Sequence, residues 1–244
     1  MTDADILANI PIKFRPMKRA RRLTLRFDPI ARHAVVTHPP RMSRRTLSAF
    51  VAEKKTWLHE QVQTLVPPTF LTHGACIPLL GVPHHVQIQP YGRRSITACA
   101  GEIWVAGPTL SPDRRLRDWL RRRAVSECEA RARDMASQLG VSYRRLTVRD
   151  VKSRWGSCSG TGHLCFSWRL VFAPEAVLSY VVAHEVAHLV EMNHSSRFWD
   201  LVTTLVGPID AEKKWLKDQG HTLHTYDPVG LEGMRCFPSG KAAV

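Results

Sequence analysis

The sequence predicts an α+β fold in 244 residues. A basic, β-rich N-terminal domain with one helix is expected over residues 1–110, a second domain over 111–226, and a loose tail over 227–244. Three observations predict this. Short apolar alternations of period two crowd the first half, as in half-buried strands. Long stretches of helical period dominate the second half. One of those stretches is apolar nearly all round and carries His184-Glu185-Val186-Ala187-His188.

Taken in order, residues 12–38 read as a β-hairpin. Leu23, Leu25 and Phe27 alternate with polar residues, Asp28-Pro29 opens a turn, and Ala34-Val35-Val36 resumes. Ser43 is placed to cap one helix reaching Leu65, with Leu47, Phe50, Trp57, Leu58 and Val62 on its stripe. Short β runs follow at 77–80, 85–89, 95–99 and 103–105, and the glycines and prolines of 107–112 mark the expected domain boundary. A long helix then spans 113–139, stopped by Gly140. Strands are expected at 144–151 and 164–168, with Trp155-Gly156-Ser157-Cys158 as a tight turn between them. Helices at 174–190, after Ser195 and at 209–219 complete the second domain.

His184 and His188 lie four residues apart, on one face of a helix and one turn from each other. That spacing lets both hold one Zn²⁺. Glu185 stands beside the first, where it can take a proton from water. His194 follows six residues later and supplies a third ligand if the helix stops before it; Asn193 is a plausible stop. Three protein ligands and one open position describe a catalytic zinc site. The bland alternative makes both helical histidines core residues hydrogen-bonded to carbonyls. Phe198 and Trp199 read as core.

The six cysteines at 76, 99, 128, 158, 165 and 236 form no C-x-x-C pair, which argues against a zinc ribbon. Met1-Thr2-Asp3-Ala4-Asp5 is acidic and no apolar run follows, so no secretory signal and a cytoplasmic location with reduced thiols are expected. No stretch has the length and apolarity of a membrane span. The net charge of +14 is uneven. Residues 151–244 carry 9 basic and 9 acidic residues, so the remaining 26 basic and 12 acidic residues place the whole excess in 1–150. Lys18-Arg19-Ala20-Arg21-Arg22 and the 114–123 cluster are its dense points. Such patches attract polyanions, so nucleic acid is an expected partner of the basic N-terminal half, against the bland reading of a solvated face.

Several runs resemble one family. They are Arg154-Trp155-Gly156-Ser157-Cys158, Phe166-Ser167-Trp168-Arg169-Leu170, the H-E-x-x-H segment, and Asn193-His194-Ser195-Ser196-Arg197-Phe198-Trp199. Together with Arg21-Arg22-Leu23-Thr24-Leu25-Arg26 and Leu80-Gly81, they are similar to the YgjP-like zinc metallopeptidases, relatives of the SprT-like and Wss1-like zincins. The resemblance covers residues 12–226. It implies a minimal zincin domain, one zinc ion held by His184, His188 and His194, Glu185 as general base, and a polypeptide substrate. By family order Tyr226, His163 and Arg154 are candidates for stabilising an oxyanion. Ser167 and Ser179 depart from the Asn and Asp common in the family, and Glu191 replaces the glycine of metzincins. An extended peptide is expected to pair along strand 164–168. Two other functions fit the same residues: a nucleic-acid-associated zincin acting on DNA- or RNA-bound proteins, and a zinc hydrolase with a non-peptide substrate.

Overall fold

The computed structural model describes residues 11–29, 32–63 and 65–227. It is α+β, with ten strands in three small sheets and six α-helices among the described residues. The chain divides into two compact units, one ending at Pro67 and the other running Pro68–Pro228. All but Asp227 of the expected tail lies outside the described residues.

In the first unit, β1 (Ile12–Pro16), β2 (Thr24–Asp28) and β3 (His33–His38) form a sheet of order β1-β3-β2. β2 and β3 make the expected antiparallel hairpin, and β1 adds a parallel partner to β3. The central strand β3 buries Ala34, Val36 and His38, every second residue, as the period of a strand requires. Ser43 caps α1 (Arg44–Glu53) by accepting from the Thr46 N–H at 3.1 Å. The one long helix expected here is two. At Lys54 the N–H bonds to both Phe50 and Val51 carbonyls, and α2 (Lys55–Gln63) starts afresh. The apolar stripe continues through that break, so periodicity alone reads one helix.

The second unit holds β4 (Cys76–Leu79), β5 (Val82–Gln89), β6 (Ser95–Cys99) and β7 (Glu102–Ala106) in order β4-β5-β7-β6. This sheet does not belong to an N-terminal domain ending at residue 110. Its buried Ile77, Val86, Ile103 and Val105 share one core with Leu116, Leu120 and Ala124 of α3 (Pro112–Gln138). Trp168, Val171 and Phe172, from the 3₁₀ turn Trp168–Phe172, close that core. The glycines and prolines of 107–112 are therefore a turn within the unit, and the break falls at Pro67-Pro68.

The remaining sheet has order β8-β10-β9, from β8 (Arg145–Arg149), β9 (Gly156–Cys158) and β10 (His163–Ser167). β10 runs parallel to β8 and antiparallel to β9. The W-G-S-C run is thus a strand, and β10 is central. The edges of this sheet, where a peptide could pair, are β8 and β9. Three helices follow: α4 (Glu175–Ala187), α5 (Ser196–Val206) and α6 (Asp210–Gln219). The C-terminal half of α3 packs with α4, β10 and α5 in a second core, through Cys128, Ala132, Phe166, Leu178, Val182 and Phe198.

Burial pushes the Cys128 thiol up to about 12, with the nearby Glu127 and Glu129 adding to it and Arg131 opposing. An unfolded cysteine ionises near pH 8.5. The folded chain thus holds this proton more tightly, and stability present below about 8.5 is lost as pH rises toward about 12. Replacing Cys128→Ala should flatten that alkaline loss in urea-denaturation curves collected from pH 8 to pH 11.

Candidate metal centre

α4 begins after Pro174 and carries Glu175 in its first turn, where a carboxylate meets the positive end of the helix. It is buried on nearly every side: Val177, Leu178, Tyr180, Val181, Val182, Ala183, Val186 and Ala187 all sit in the core. The helix ends sooner than Asn193. His188 is its cap, and the Leu189, Val190 and Glu191 N–H groups turn back onto the Val186 and Ala187 carbonyls. Ser195 then caps α5 by accepting from the Phe198 N–H at 3.3 Å. Such a cap stabilises a helix by about 1 kcal/mol. His194 lies on the short link between the two helices.

That link folds His194 back onto α4. His184, His188 and His194 each offer a nitrogen, and these atoms all lie within 4.8 Å of one another. The Nε2 atoms of His184 and His194 are 3.1 Å apart. Two nitrogens bound tetrahedrally at zinc distances would be about 3.3 Å apart. Phe198 packs against all three imidazoles, with ring centroids 4.9, 4.5 and 4.7 Å away. Trp199 faces His184 and His194, and the Lys213 ammonium lies 3.5 Å from its ring centroid.

The donor set suits a cation. Burial, then the neighbouring His188, His194 and Lys213, push His184 down to about 4, so the ring is neutral at pH 7. Burial also lowers His188. The His188 Nδ1 lies 3.0 Å from the Glu191 carbonyl, and an N–H donated there leaves Nε2 with its lone pair. The His184 Nδ1 is buried and has no partner among the described residues. An unmet buried group costs about 1–3 kcal/mol. Three converging imidazoles, that of His184 neutral at pH 7, are donors of the kind a transition metal takes.

Glu185 is 6 % exposed. Burial raises its carboxyl to about 7, against the opposing pull of Arg154 and of the Cys158 N–H donated to it. β9 passes directly against this carboxylate. A Cβ at Gly156 would stand 2.6 Å from both Cγ and Oε1 of Glu185, closer than atoms can approach. The glycine of the W-G-S-C run is therefore where strand backbone and carboxylate need the same space. Cys158 lends its N–H, while its thiol is pushed up to about 11 by burial and by Glu185 and stays protonated at pH 7.

The other sequence candidates lie differently. Arg154 is close enough to Glu185 to lower its pKa. His163 is exposed at the start of β10, and its N–H donates to the Ser159 hydroxyl. Tyr226 packs on Phe172 at 4.9 Å and its backbone bridges to Thr69. Among the described residues no hydrogen bond or ring contact joins His163 or Tyr226 to the three histidines. Sequence reasoning missed Tyr180. It sits one turn before His184, 6.1 Å from its ring, with its hydroxyl raised by burial and then by Glu185 and Glu212. Its four-residue spacing from His184 was the available signal. Of the two family departures, Ser179 accepts from Arg131 at 3.0 Å, and the buried Ser167 hydroxyl has no partner among the described residues.

A family model described as the YgjP-like metallopeptidase domain matches residues 21–219. The chain belongs to the YgjP-like metallopeptidase family. It is a hydrolase, a peptidase with a polypeptide substrate, and its family implies a metal cofactor. The metallopeptidase zymogen of Pyrococcus abyssi abylysin is similar over 38% of this chain and 95% of its own, at 21% identity and a TM-score of 0.34. The zymogen of Methanocaldococcus jannaschii jannalysin is similar over 37% and 86%, at 19% identity and a TM-score of 0.33. No curated protein matches the chain. No described helix is long and apolar enough to cross a membrane.

Gly156→Ala should displace the Glu185 carboxylate and leave the three imidazoles in place. The expected result is a fall of at least tenfold in peptidase kcat with metal content per chain unchanged, read by elemental analysis of the same preparation.

Proposed function

We infer that the chain is a zinc peptidase in which His184, His188 and His194 hold one Zn²⁺ and Glu185 is the general base. The observation that carries this reading is the convergence of three imidazoles beside a buried carboxyl raised to about 7. When bound, the ion supplies Lewis acidity that stabilises negative charge developing on oxygen. The protein does the rest. Glu185 has an affinity for protons matched to neutral pH, so it can take one from water and return it to the departing amine. Its orientation is held by the Cys158 N–H on one side and by the backbone at Gly156 on the other. Arg154 favours the ionised form, ready to accept. Aromatic walls from buried Phe198 and half-buried Trp199 hold the imidazoles against rotation.

β9 supports a peptide substrate rather than a small one. It is an edge of its sheet, and this short strand touches Glu185 through Gly156 and the Cys158 N–H. An extended peptide added there would be fixed by main-chain hydrogen bonds beside the base, largely independent of its sequence.

Glu185→Gln should keep zinc and lower hydrolysis of an unfolded protein at least a hundredfold. A metal-loaded E185Q protein as fast as the parent would remove Glu185 from the mechanism. His194→Ala should lower zinc occupancy after dialysis against a mild chelator, and unchanged occupancy would remove His194 from the ligand set.

A further inference from the structure

A second site lies on the same unit. Between β6 and the N-terminal half of α3 is a cleft of about 360 Å³, lined by Arg94, Ser95, Arg115, Asp118, Trp119 and Arg122. That is the lower end of the range for ligand clefts, roughly 300–1,000 Å³. Three guanidinium groups face a single carboxylate. Arg115 is committed to the fold, donating to the Ala106 carbonyl at 2.9 Å and the Ser95 carbonyl at 3.4 Å, and so forms a fixed floor. Arg94 and Arg122 are exposed and make no ion pair among the described residues. The Arg94 backbone is fixed by the turn after β7. Gly107 has φ +91°, and a Cβ there would lie 2.8 Å from the Arg94 Cα. Trp119 is half-buried, packed against the core that joins β4–β7 to α3, while its ring also lines the cleft.

These parts match one kind of ligand. Free guanidinium forks bind phosphate oxygens in bidentate fashion. An indole whose other contacts are fixed by a core is a platform on which a flat base can stack. A base inside a duplex is already stacked and cannot use it. Exposed Arg93 and Arg114 extend the positive surface beyond the cleft, which favours a chain of phosphates over one. We propose that this cleft binds single-stranded nucleic acid, with one base on Trp119 and the flanking phosphates on Arg94 and Arg122. The assignment is independent of the zinc reading.

The test is fluorescence anisotropy of the full chain with labelled oligothymidylate, against a duplex of equal length and against thymidine monophosphate. The single strand should bind at least tenfold tighter than either. R94A/R122A should weaken it at least tenfold and reduce the slope of log K against log salt by about 1.4, two phosphates at about 0.7 each. W119L keeps an apolar side chain but removes the stacking face and should weaken binding about tenfold or more. K18A/R19A/R22A, in the other unit, should change little. Photo-cross-linking of a 5-iodouridine oligonucleotide to the unaltered protein should mark Trp119, whatever the stability of the variants. Equal affinity for duplex or mononucleotide would overturn the proposal. So would no binding at low salt, a loss confined to K18A/R19A/R22A, or cross-links only elsewhere.

Discussion

The centre depends on placing polar groups inside a helix that the fold otherwise treats as core. α4 contributes nine buried residues, and Glu185 is one of them. Desolvation pushes each of these groups toward its neutral form: His184 down to about 4, Glu185 up to about 7. Left unanswered, such burial costs several kcal/mol per ionised group. The surrounding structure answers it with a few fixed dipoles. The Cys158 N–H points at Glu185, and the Glu191 carbonyl meets the His188 ring. Each requires the chain to take a particular course. α4 must stop at His188 so that Glu191 can fold back. β9 must run close enough for its N–H to reach a carboxylate inside the core.

The same constraint explains why α3 is so long. Its N-terminal half covers the β4–β7 sheet through Leu116, Leu120 and Ala124. Its C-terminal half covers α4 through Cys128, Ala132 and Met135. One 27-residue helix thus spans two cores within one unit. The segment after α6 is tied from the other side. Buried Arg169 donates to the Leu223, Tyr226 and Asp227 carbonyls and pairs with Asp150. Arg117 pairs with the Asp227 carboxylate. A buried arginine meeting three carbonyls clamps the 3₁₀ turn Gly220–Thr225 and the two residues after it.

The histidine spacing, the buried character of 174–190 and the strands from 76 to 106 could all be read from residues, because each is a local periodicity. What could not be read was set by distant backbone. The W-G-S-C run has no alternation, and its role as a strand depends on pairing with β10. Only that pairing turns Gly156 toward Glu185, and only the bulk of Glu185 makes glycine necessary there. The division into units at Pro67-Pro68 rests on distant contacts in the same way. Gly107-Pro108 looks like a linker, but whether a turn separates domains depends on which helix covers the sheet before it. Tyr180 was passed over because an aromatic residue in an apolar helix carries no sign of what lies one turn away.

Charge shows the difference between counting residues and placing them. The 114–123 stretch looks like a uniform basic band, yet its arginines do different work. Arg115 caps carbonyls, Arg117 is paired to Asp227, Arg123 to Glu127, and Arg121 lies over the Trp168 ring. Arg123 finds its partner one turn along the same helix and the others find theirs elsewhere in the fold, so each charge is partly spent on structure. Arg122 sits among them in sequence but lines the cleft with Asp118 and makes no ion pair among the described residues. Helical geometry alone produces that division, because neighbours in sequence point about 100° apart around the axis. A field that attracts polyanions is therefore set less by the number of arginines than by which ones the core has left unpaired.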